Sequence, residues 1–343
     1  MKAIVFDQHG GPDVLHYRDC PEPELRSGEV LVRVRAVALN HLDLWVRRGI
    51  PGVPIPLPHI PGSDVAGVVA QVGPNVSRVR WDDKVLLAPG VTCGKCAKCL
   101  AGLDNHCAHF TNLGYLIDGG CADYVRVPEV NCFPLPQNLS FEQAAAVPLV
   151  FQTAWHMLIT RAQLQPGEEV LVLGAGSGVG SAAIQIAKLF GCRVIATAGN
   201  DAKLAKAREL GADEGINHKT QKIKDEVRRL TAKRGVDIVF EHVGAATWDD
   251  SVASLARGGR LVTCGATTGH DAKIDLRFLF SRQLSILGSY MGTKAEFATI
   301  LTLVSSGRLK PVVDRTFPLA ECVAAHTYLE SGEQFGKVVL LPD

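Results

Sequence analysis

Hydrophobic residues follow one pattern in the first 150 positions of the chain and a different pattern after them. In the first part, short extended runs rich in valine alternate with turns marked by glycine and proline, which is typical of strands in a compact β domain. The clearest runs cover residues 29–39, 66–72, 83–87 and 122–127. We therefore predict a mostly β domain in this part of the chain.

Beyond position 150, apolar strands alternate with helices. The predicted strands cover residues 169–173, 193–197, 214–217, 236–241, 260–264 and 284–288. The helices predicted between them cover 181–190, 201–210, 222–233 and 247–257. Strands that are apolar throughout and separated by helices indicate a parallel sheet covered on both faces, and six of them are typical of a doubly wound dinucleotide-binding fold. The predicted fold class is therefore α/β, with a β domain beside a Rossmann domain that has a six-stranded parallel sheet.

The tail of the chain returns to the β pattern at residues 317–319 and 336–341. We expect this tail to rejoin the first domain. The prediction is thus a discontinuous catalytic domain of residues 1–150 and 291–343, and a dinucleotide-binding domain of residues 151–290.

Charge and composition narrow the classes of partner. The 343 residues carry a net charge of only +1, so no electrostatic field favours nucleic acid or an acidic membrane. The apolar stretch before Asp7 is too short for a signal peptide, and the run at 144–151 contains Pro148 and is too short to span a membrane. We expect a cytoplasmic protein that acts on a small molecule, with no nucleic-acid or membrane partner.

Four of the ten cysteines are clustered, with spacers of two, two and seven residues. Short spacers let successive thiolates face one centre, and four thiolates with no open position are typical of a structural zinc site. Unligated thiols and an iron–sulfur cluster are the alternatives, although the ferredoxin pattern has a last spacer of three residues followed by proline. The sequence predicts one structural zinc per chain, in a lobe at residues 90–110, with the ligands Cys93, Cys96, Cys99 and Cys107.

A glycine-rich run, Gly174-Ala-Gly-Ser-Gly-Val-Gly180, lies between a predicted strand and a predicted helix. In that context glycines let the backbone approach a pyrophosphate, whose charge meets the helix N-terminus. The spacing departs from strict G-x-G-x-x-G, and a tight turn without a ligand is the alternative. The predicted cofactor contacts here are Gly174, Gly176, Ser177, Gly178, Val179 and Gly180.

The end of the second strand of this domain distinguishes the two nicotinamide cofactors. An acidic residue there would bind the ribose 2′-hydroxyl of NAD, but the strand ends at Gly199 and Asn200. Lys203 is either a ligand of a 2′-phosphate or a solvated residue in the first turn of a helix. We predict contacts at Gly199, Asn200 and Lys203 and a preference for NADP(H) over NAD(H).

The order of these parts resembles the medium-chain dehydrogenase/reductase superfamily, which joins a GroES-like β domain, a cysteine lobe, a Rossmann domain and a β return. Segments 62–67, 119–125 and 336–340 add to the resemblance, which covers nearly the whole chain. The resemblance implies that His41 contacts the pyrophosphate and that the outer strand near 284–290 pairs across a two-fold axis in a homodimer or homotetramer. Further cofactor contacts are expected at Thr153, Cys264 and Gly265.

The resemblance breaks down at the catalytic zinc. The positions that hold this metal in zinc alcohol dehydrogenases match Asn40, Ser63 and a residue near Leu149, and none of them has the expected ligand. The proton-relay hydroxyl is replaced by Leu42. Residues 40–45 resemble instead the Asn-Pro-Val-Asp stretch of zinc-free quinone oxidoreductases, which usually lack the cysteine lobe.

These departures predict hydride transfer from a reduced nicotinamide to a quinone, an enone or a related carbonyl, without catalytic zinc. Such acceptors spread the developing charge themselves, and hydrogen-bond donors take the place of the metal. The predicted catalytic residues are Asn40 as donor to the substrate oxygen, Asp43 as its orienter, and Ser63 and Asp64 lining the pocket, with Trp45 as an aromatic wall. Asn40 and Asp43 alternatively form a turn that satisfies backbone amides.

Two other functions are consistent with the sequence. One is a zinc-dependent alcohol dehydrogenase with unusual ligands, for which His41, Asp43, His59 and Asp64 are suitable residue types. The other is a nucleotide-binding protein without turnover.

Overall fold

The computed structural model describes all 343 residues, and these form two compact units. The first unit comprises Met1–Leu149 and Thr293–Asp343, and the second comprises Val150–Gly292. No helix in the structure is long and apolar enough to span a bilayer.

The strands, in chain order, are β1 (Lys2–Val5), β2 (His16–Asp19), β3 (Glu29–Ala38), β4 (Asp64–Val72), β5 (Lys84–Leu87), β6 (Gly90–Val91), β7 (Thr111–Asn112), β8 (Tyr124–Pro128), β9 (Cys132–Pro134), β10 (Glu169–Val172), β11 (Arg193–Ala198), β12 (Glu214–Asn217), β13 (Val236–Glu241), β14 (Leu255–Thr263), β15 (Ser285–Gly288), β16 (Val313–Pro318) and β17 (Lys337–Leu341). The helices are α1 (His41–Arg48), α2 (Ala97–Leu100), α3 (Phe141–Ala145), α4 (Pro148–Trp155), α5 (Gly178–Leu189), α6 (Asp201–Glu209), α7 (Ile223–Leu230), α8 (Trp248–Ser254), α9 (Leu276–Ser281), α10 (Lys294–Ser305) and α11 (Cys322–Ser331). A π-helical segment, His156–Arg161, follows α4, and short 3-10 turns lie at Pro12–Val14, Asp104–His106, Glu129–Asn131 and Leu319–Glu321.

The main sheet of the first unit brings the end of one long strand beside the starts of two others. Its order is β16-β17-β3-β4-β5-β9, and β8 also pairs with β3. Both β17 and β4 run antiparallel to β3, so that Ala38 at the end of β3 lies opposite Val339 in β17 and Asp64 in β4. Residues that follow β3 therefore lie near the first residues of β4 and of β17, although these strands are distant in sequence.

Alternation along β3 explains why this strand is central to the sheet. Val32, Val34 and Ala36 are buried, whereas Arg33 and Arg35 between them are exposed. This period of two is the pattern of a strand with one face on the core. The buried valines join a hydrophobic cluster that also takes in β17 and α11.

The second unit has a six-stranded sheet of order β12-β11-β10-β13-β14-β15, in which every neighbouring pair is parallel. The predicted six-stranded parallel sheet is therefore confirmed. Its strand order reverses direction between β10 and β13, and this reversal is where doubly wound sheets bind ligands beyond the carboxyl ends of their strands.

Two predicted helices of this unit end too late: α7 ends at Leu230 instead of residue 233, and the second is the helix before β14. The sequence pattern extends it to residue 257, but α8 ends at Ser254 and β14 already begins at Leu255. Leu255 is fully buried and pairs with Val236 across the sheet, so that sheet pairing prevails over local helix propensity. Gly258 and Gly259 then make a helical continuation unfavourable.

A glycine before β4 holds a close approach between two segments of the first unit. Gly62 has a φ of +105°, and a Cβ at this position would lie 2.8 Å from both the backbone nitrogen and the Sγ of Cys121. A side chain here is therefore both conformationally strained and in contact with backbone that cannot move cheaply.

We expect Gly62→Ala to lower the free energy of unfolding by about 2–5 kcal/mol, from the strain of a positive φ and from overpacking. Gly52→Ala is the matched control, because Gly52 also has a positive φ of +78° but no atom lies within 4 Å of its Cβ position. Only the strain, about 1–2 kcal/mol, should appear in the control. Thermal or urea unfolding measures both values, and equal losses in the two variants would contradict the close packing of Gly62.

Candidate active site and cofactor-binding loop

Asp43 joins the start of α1 to the turn that precedes β4. Its side chain accepts the backbone N–H of Asn40 at 2.7 Å and the backbone N–H of Gly62 at 2.9 Å. The carboxyl group is fully buried, and burial raises the pKa of Asp43. Asp43 therefore orients Asn40 through the backbone, and it fixes the turn that carries Ser63 and Asp64.

Asp64 is the centre of a buried polar network. One carboxylate oxygen, Oδ1, accepts the backbone N–H of Leu149 at 2.8 Å. The other, Oδ2, accepts the ammonium of Lys337 at 2.8 Å and the amide Nδ2 of Asn40 at 3.0 Å. Lys337 also donates to Oδ1 of Asn40. The three side chains thus bond to one another in a closed triangle.

The amide of Asn40 is largely committed within this network. Because its Oδ1 faces the ammonium, its Nδ2 group faces Asp64, and the second Nδ2 contact is with the carbonyl oxygen of Ala38 at 3.4 Å. That last contact is long for a hydrogen bond. Asn40 is therefore able to donate to another molecule only by giving up its contact with Ala38.

The predicted pocket residues Ser63 and Trp45 have different environments. Ser63 is fully buried and its hydroxyl donates to the carbonyl oxygen of Leu113 at 2.7 Å. Trp45 is half-buried and lies edge-on to His41, with ring centroids 6.1 Å apart. Ser63 is thus part of the framework, while Trp45 keeps exposed ring surface.

The three positions that the sequence matches to catalytic-zinc ligands of zinc alcohol dehydrogenases lie around Asp64. Asn40 and Leu149 bond directly to its carboxylate, and Ser63 precedes it in the chain. None of the three presents a thiolate or an imidazole, and the cation at this place is the ammonium of Lys337. The residues here do not fit a catalytic zinc of the usual ligand types.

The alternative ligand set of His41, Asp43, His59 and Asp64 does not converge either. His59 is buried against Phe6, and burial lowers the pKa of its imidazole. His41 is exposed at the start of α1. Across the whole described chain, the one group of three or more His, Cys, Asp or Glu side chains with ligand atoms within 4.8 Å of one another consists of Cys93, Cys96, Cys99 and Cys107.

That cysteine group has the geometry of a tetrathiolate metal site. The sulfur of Cys99 lies 3.5 Å from that of Cys96 and 3.9 Å from that of Cys93, and Cys107 lies 3.6 Å from Cys93. Tetrahedral zinc with Zn–S bonds of about 2.3 Å needs sulfurs about 3.8 Å apart. Backbone N–H groups of Lys95 and Cys96 lower the pKa of Cys93 to about 6. The donor set therefore fits a closed structural zinc.

An ion pair holds the cysteine lobe to the rest of the first unit. Lys294, the first residue of α10, donates to Asp104 Oδ2 at 3.1 Å and to the carbonyl oxygen of Gly90 at 2.9 Å. Asp104 lies in the 3-10 turn just before Cys107. The lobe is thereby attached at both its start and its end.

In the second unit, the glycine-rich run forms the turn from β10 into α5. Ser177 caps the helix, and its hydroxyl accepts the N–H of Gly180 at 2.9 Å. A Cβ on Gly180 would lie 2.4 Å from the carbonyl oxygen of Gly174. All six predicted loop residues lie on this turn or in the first turn of α5, namely Gly174, Gly176, Ser177, Gly178, Val179 and Gly180. The backbone N–H groups at the start of this 12-residue helix have the arrangement that suits an anion such as a pyrophosphate.

Basic side chains surround the end of β11. Asn200 caps α6 by accepting the backbone N–H of Lys203 at 2.8 Å. A Cβ on Gly199 would lie 3.3 Å from Cε of Lys219 and 3.4 Å from Nε2 of His218. Burial lowers the pKa of His218, and the neighbouring charges of Lys219 and Lys203 lower it further.

Sequence reasoning missed His218 and Lys219, which follow β12 rather than β11. A signal was present, because β12 is expected beside β11 in a doubly wound sheet and Ala198 pairs with Asn217. Basic residues just after the third strand therefore come to the same edge as the end of the second.

The remaining predicted cofactor residues lie in several elements. Cys264 and Gly265 follow β14, at the same carboxyl edge as the glycine-rich turn, and burial raises the pKa of Cys264 to about 12. Thr153 is buried in α4, with its hydroxyl 3.8 Å from the sulfur of Met291.

Two family models match the chain: a zinc-binding dehydrogenase model over residues 178–306 and an alcohol dehydrogenase GroES-like domain over residues 26–137. The chain is 34% identical to an NAD-dependent alcohol dehydrogenase of Sulfolobus acidocaldarius, over 99% of each chain. It is 31% identical to the quinone oxidoreductase of Homo sapiens, over 99% of this chain and 98% of that one.

Solved structures agree with these matches. An NAD-dependent alcohol dehydrogenase superposes with a TM-score of 0.96 at 49% identity, over 99% of both chains. A thermostable alcohol dehydrogenase of Pyrobaculum aerophilum with bound cobalt and zinc superposes with a TM-score of 0.91 at 36% identity, over 100% of this chain and 99% of that one. The chain is therefore an oxidoreductase that belongs to the medium-chain dehydrogenase/reductase superfamily, with relatives among both alcohol dehydrogenases and quinone oxidoreductases.

Proposed function

We propose that this protein transfers a hydride from a reduced nicotinamide to a quinone, an enone or a related carbonyl, without a catalytic zinc. The observation that carries the proposal is the triangle of Asn40, Asp64 and Lys337, which includes or adjoins the positions that the family resemblance matches to the metal ligands of zinc alcohol dehydrogenases. A simple ketone needs strong stabilisation of its alkoxide, which a zinc ion supplies as a Lewis acid. Quinones and enones delocalise the charge themselves, and they suit a site built from hydrogen-bond donors.

In this proposal the four predicted catalytic residues have distinct roles, and Asn40 donates to the substrate oxygen through Nδ2 in place of its long contact with Ala38. Asp43 fixes the backbone of Asn40 and Gly62, and Asp64 holds the side chain of Asn40. Ser63 anchors the turn through Leu113, and the exposed ring surface of Trp45 is suited to stacking on an aromatic acceptor.

For the cofactor we propose NADP(H) in preference to NAD(H). When bound, the reduced nicotinamide supplies the hydride, while the protein orients it and excludes side reactions. The glycine-rich turn suits the pyrophosphate, and Lys203, His218 and Lys219 suit a 2′-phosphate beside Gly199. We assign His41, Thr153, Cys264 and Gly265 to the same cofactor. The proposal rests on these basic side chains and not on the relatives, two of which are named NAD-dependent.

We also propose one structural zinc per chain and a homodimeric or homotetrameric assembly. The outer edge of β15 is unpaired in the six-stranded sheet, and such an edge is able to pair with that of a second copy.

For the metal, we expect elemental analysis of protein purified without chelator or His-tag to find one zinc per chain. Replacing Cys96 and Cys99 by serine should remove that zinc, because a closed site needs all four thiolates. Cys20→Ser is the control, since Cys20 lies outside the lobe, and it should keep the metal. Two zinc ions per chain would contradict the metal-free active site and favour an alcohol dehydrogenase with unusual ligands.

For the reaction, we expect NADPH oxidation with 1,4-benzoquinones or with open-chain enones to exceed the rate with simple ketones and aldehydes. The rate should be unchanged by dialysis against a chelator under conditions that leave the structural zinc in place. Spectrophotometric assay of NADPH with a panel of acceptors measures this. An enzyme that uses only alcohols and ketones, and that loses this activity with a second metal ion, would refute the proposal.

For the cofactor, we expect Lys203→Ala and Lys219→Ala each to raise the Kd for NADPH by about tenfold or more, because each loses a charge-assisted contact with the 2′-phosphate. The Kd for NADH should change little. Lys233→Ala is a control at the opposite, amino-terminal edge of the sheet, just before β13. Fluorescence titration with both nucleotides measures these constants, and equal losses for NADH and NADPH would show that these lysines do not read the 2′-phosphate.

A further inference from the structure

Lys337 is a buried cation that has one donor more than its protein partners use. Its side chain is 4% exposed, and its ammonium contacts Asp64 and Asn40. An ammonium group has three N–H donors. The third N–H has no acceptor in the first unit, and a buried donor without a partner is costly enough to need an explanation.

The three residues of the triangle differ in how far solvent reaches them. Asn40 is 6% exposed and Lys337 3%, whereas Asp64 is not exposed at all. Solvent thus reaches a small part of Asn40 and of Lys337 but no part of Asp64, whose two oxygens are both bonded. A molecule that reaches this surface meets Lys337 and Asn40 and does not meet the carboxylate.

Of these two groups, Lys337 is the better donor to an approaching oxygen. The amide hydrogens of Asn40 are directed at Asp64 and Ala38, as described above. Lys337 keeps a free N–H and carries a full positive charge, which a low-dielectric site makes more effective. Asn40 is the weaker second donor, and it also holds the ammonium through its Oδ1.

We propose that the ammonium of Lys337 binds the carbonyl oxygen of the substrate and stabilises the negative charge that develops there during reduction. This inference rests on the proposed function. It assigns to Lys337 the stabilisation of the oxyanion that zinc provides in zinc alcohol dehydrogenases. The hydride brings its electron pair to the acceptor and forms a new C–H bond, and the nicotinamide is oxidised. In a carbonyl or quinone the C=O π electrons move to oxygen. In an enone the C=C π electrons shift toward the carbonyl carbon, and the C=O π electrons move to oxygen. The oxyanion then takes a proton from solvent, so that acceptor, NADPH and one proton give the reduced product and NADP⁺. Lys337 keeps its proton throughout and remains paired with Asp64.

A structural role as the counter-ion of Asp64 is the competing explanation, and a charge-balanced double variant separates the two. Lys337→Met alone removes the donor but leaves Asp64 buried and unpaired, which also destabilises the fold. Asp64→Asn combined with Lys337→Met removes both charges. If Lys337 is only a counter-ion, the double variant should restore function together with stability.

The first readout is the binding of 4-nitrophenol, an aromatic ring of the size of a benzoquinone whose yellow phenolate mimics an oxyanion. We expect the wild type to bind the phenolate, with and without NADP⁺, and both Lys337 variants to bind it at least about tenfold more weakly. Lys84→Met is the control for loss of a lysine, because Lys84 is exposed on β5. Nitrophenolate binding equal to the wild type in the double variant, or no phenolate binding by the wild type, would overturn the inference.

The second readout is turnover. We expect kcat with a quinone or enone to fall by about 100- to 1000-fold in the double variant, as when an oxyanion donor is lost, while the Kd for NADPH stays within about twofold. Wild-type kcat in the double variant would overturn the inference while leaving the proposed function standing. A wild type that reduces no quinone or enone would overturn the proposed function, and loss of phenolate binding in the double variant would then still identify Lys337 as an oxyanion donor.

Discussion

The buried carboxylate of Asp64 imposes the strictest requirement on the first unit. A charged group without solvent costs several kcal/mol unless a counter-ion and hydrogen bonds replace its water. Lys337, Asn40 and the backbone of Leu149 together supply four components of that replacement: one positive charge and three hydrogen bonds. Lys337 is the first residue of β17, Asn40 lies in the turn after β3, and Leu149 is the last residue of the segment Met1–Leu149. Each segment therefore has to be in place before the charge is satisfied.

Asp43 shows what a second buried carboxylate does when no ammonium or guanidinium bonds to it. Its two hydrogen bonds are to backbone N–H groups, and burial raises its pKa despite the nearby positive charge of Lys337. Backbone donors fix main-chain geometry, whereas the donors of Asp64 are mainly side chains. The two carboxylates therefore act on different parts of the site: Asp43 shapes the turns, and Asp64 positions the polar groups that these turns present.

Local periodicity was sufficient to predict the parallel sheet, because apolar runs such as those in β10 and β11 alternate with helices along the second unit. It failed at Leu255, where pairing with Val236 decides the conformation. The site was harder for the same reason. Asn40, Asp43 and Asp64 lie within one stretch of sequence, so their proximity was expected. Lys337 lies almost 300 positions from Asn40 and reaches it through the pairing of β17 with β3. No property of a single segment shows such a contact.

The cysteine lobe and the Asp64 network both neutralise negative charge in the first unit, but they suit cations of different charge. Four thiolates need a dication, and a closed zinc site meets that need without presenting any reactive position. Asp64 has a single negative charge, which one ammonium balances. A single charge needs no metal with two charges, so lysine suits this place. Its flexible stem lets a compact point charge reach Asp64 from the first residue of a strand. It suits the place better than arginine too, because the carboxylate is approached by two other donors and has no edge left for a bidentate guanidinium. The ammonium that makes the buried carboxylate tolerable is thus also held beside the amide of Asn40.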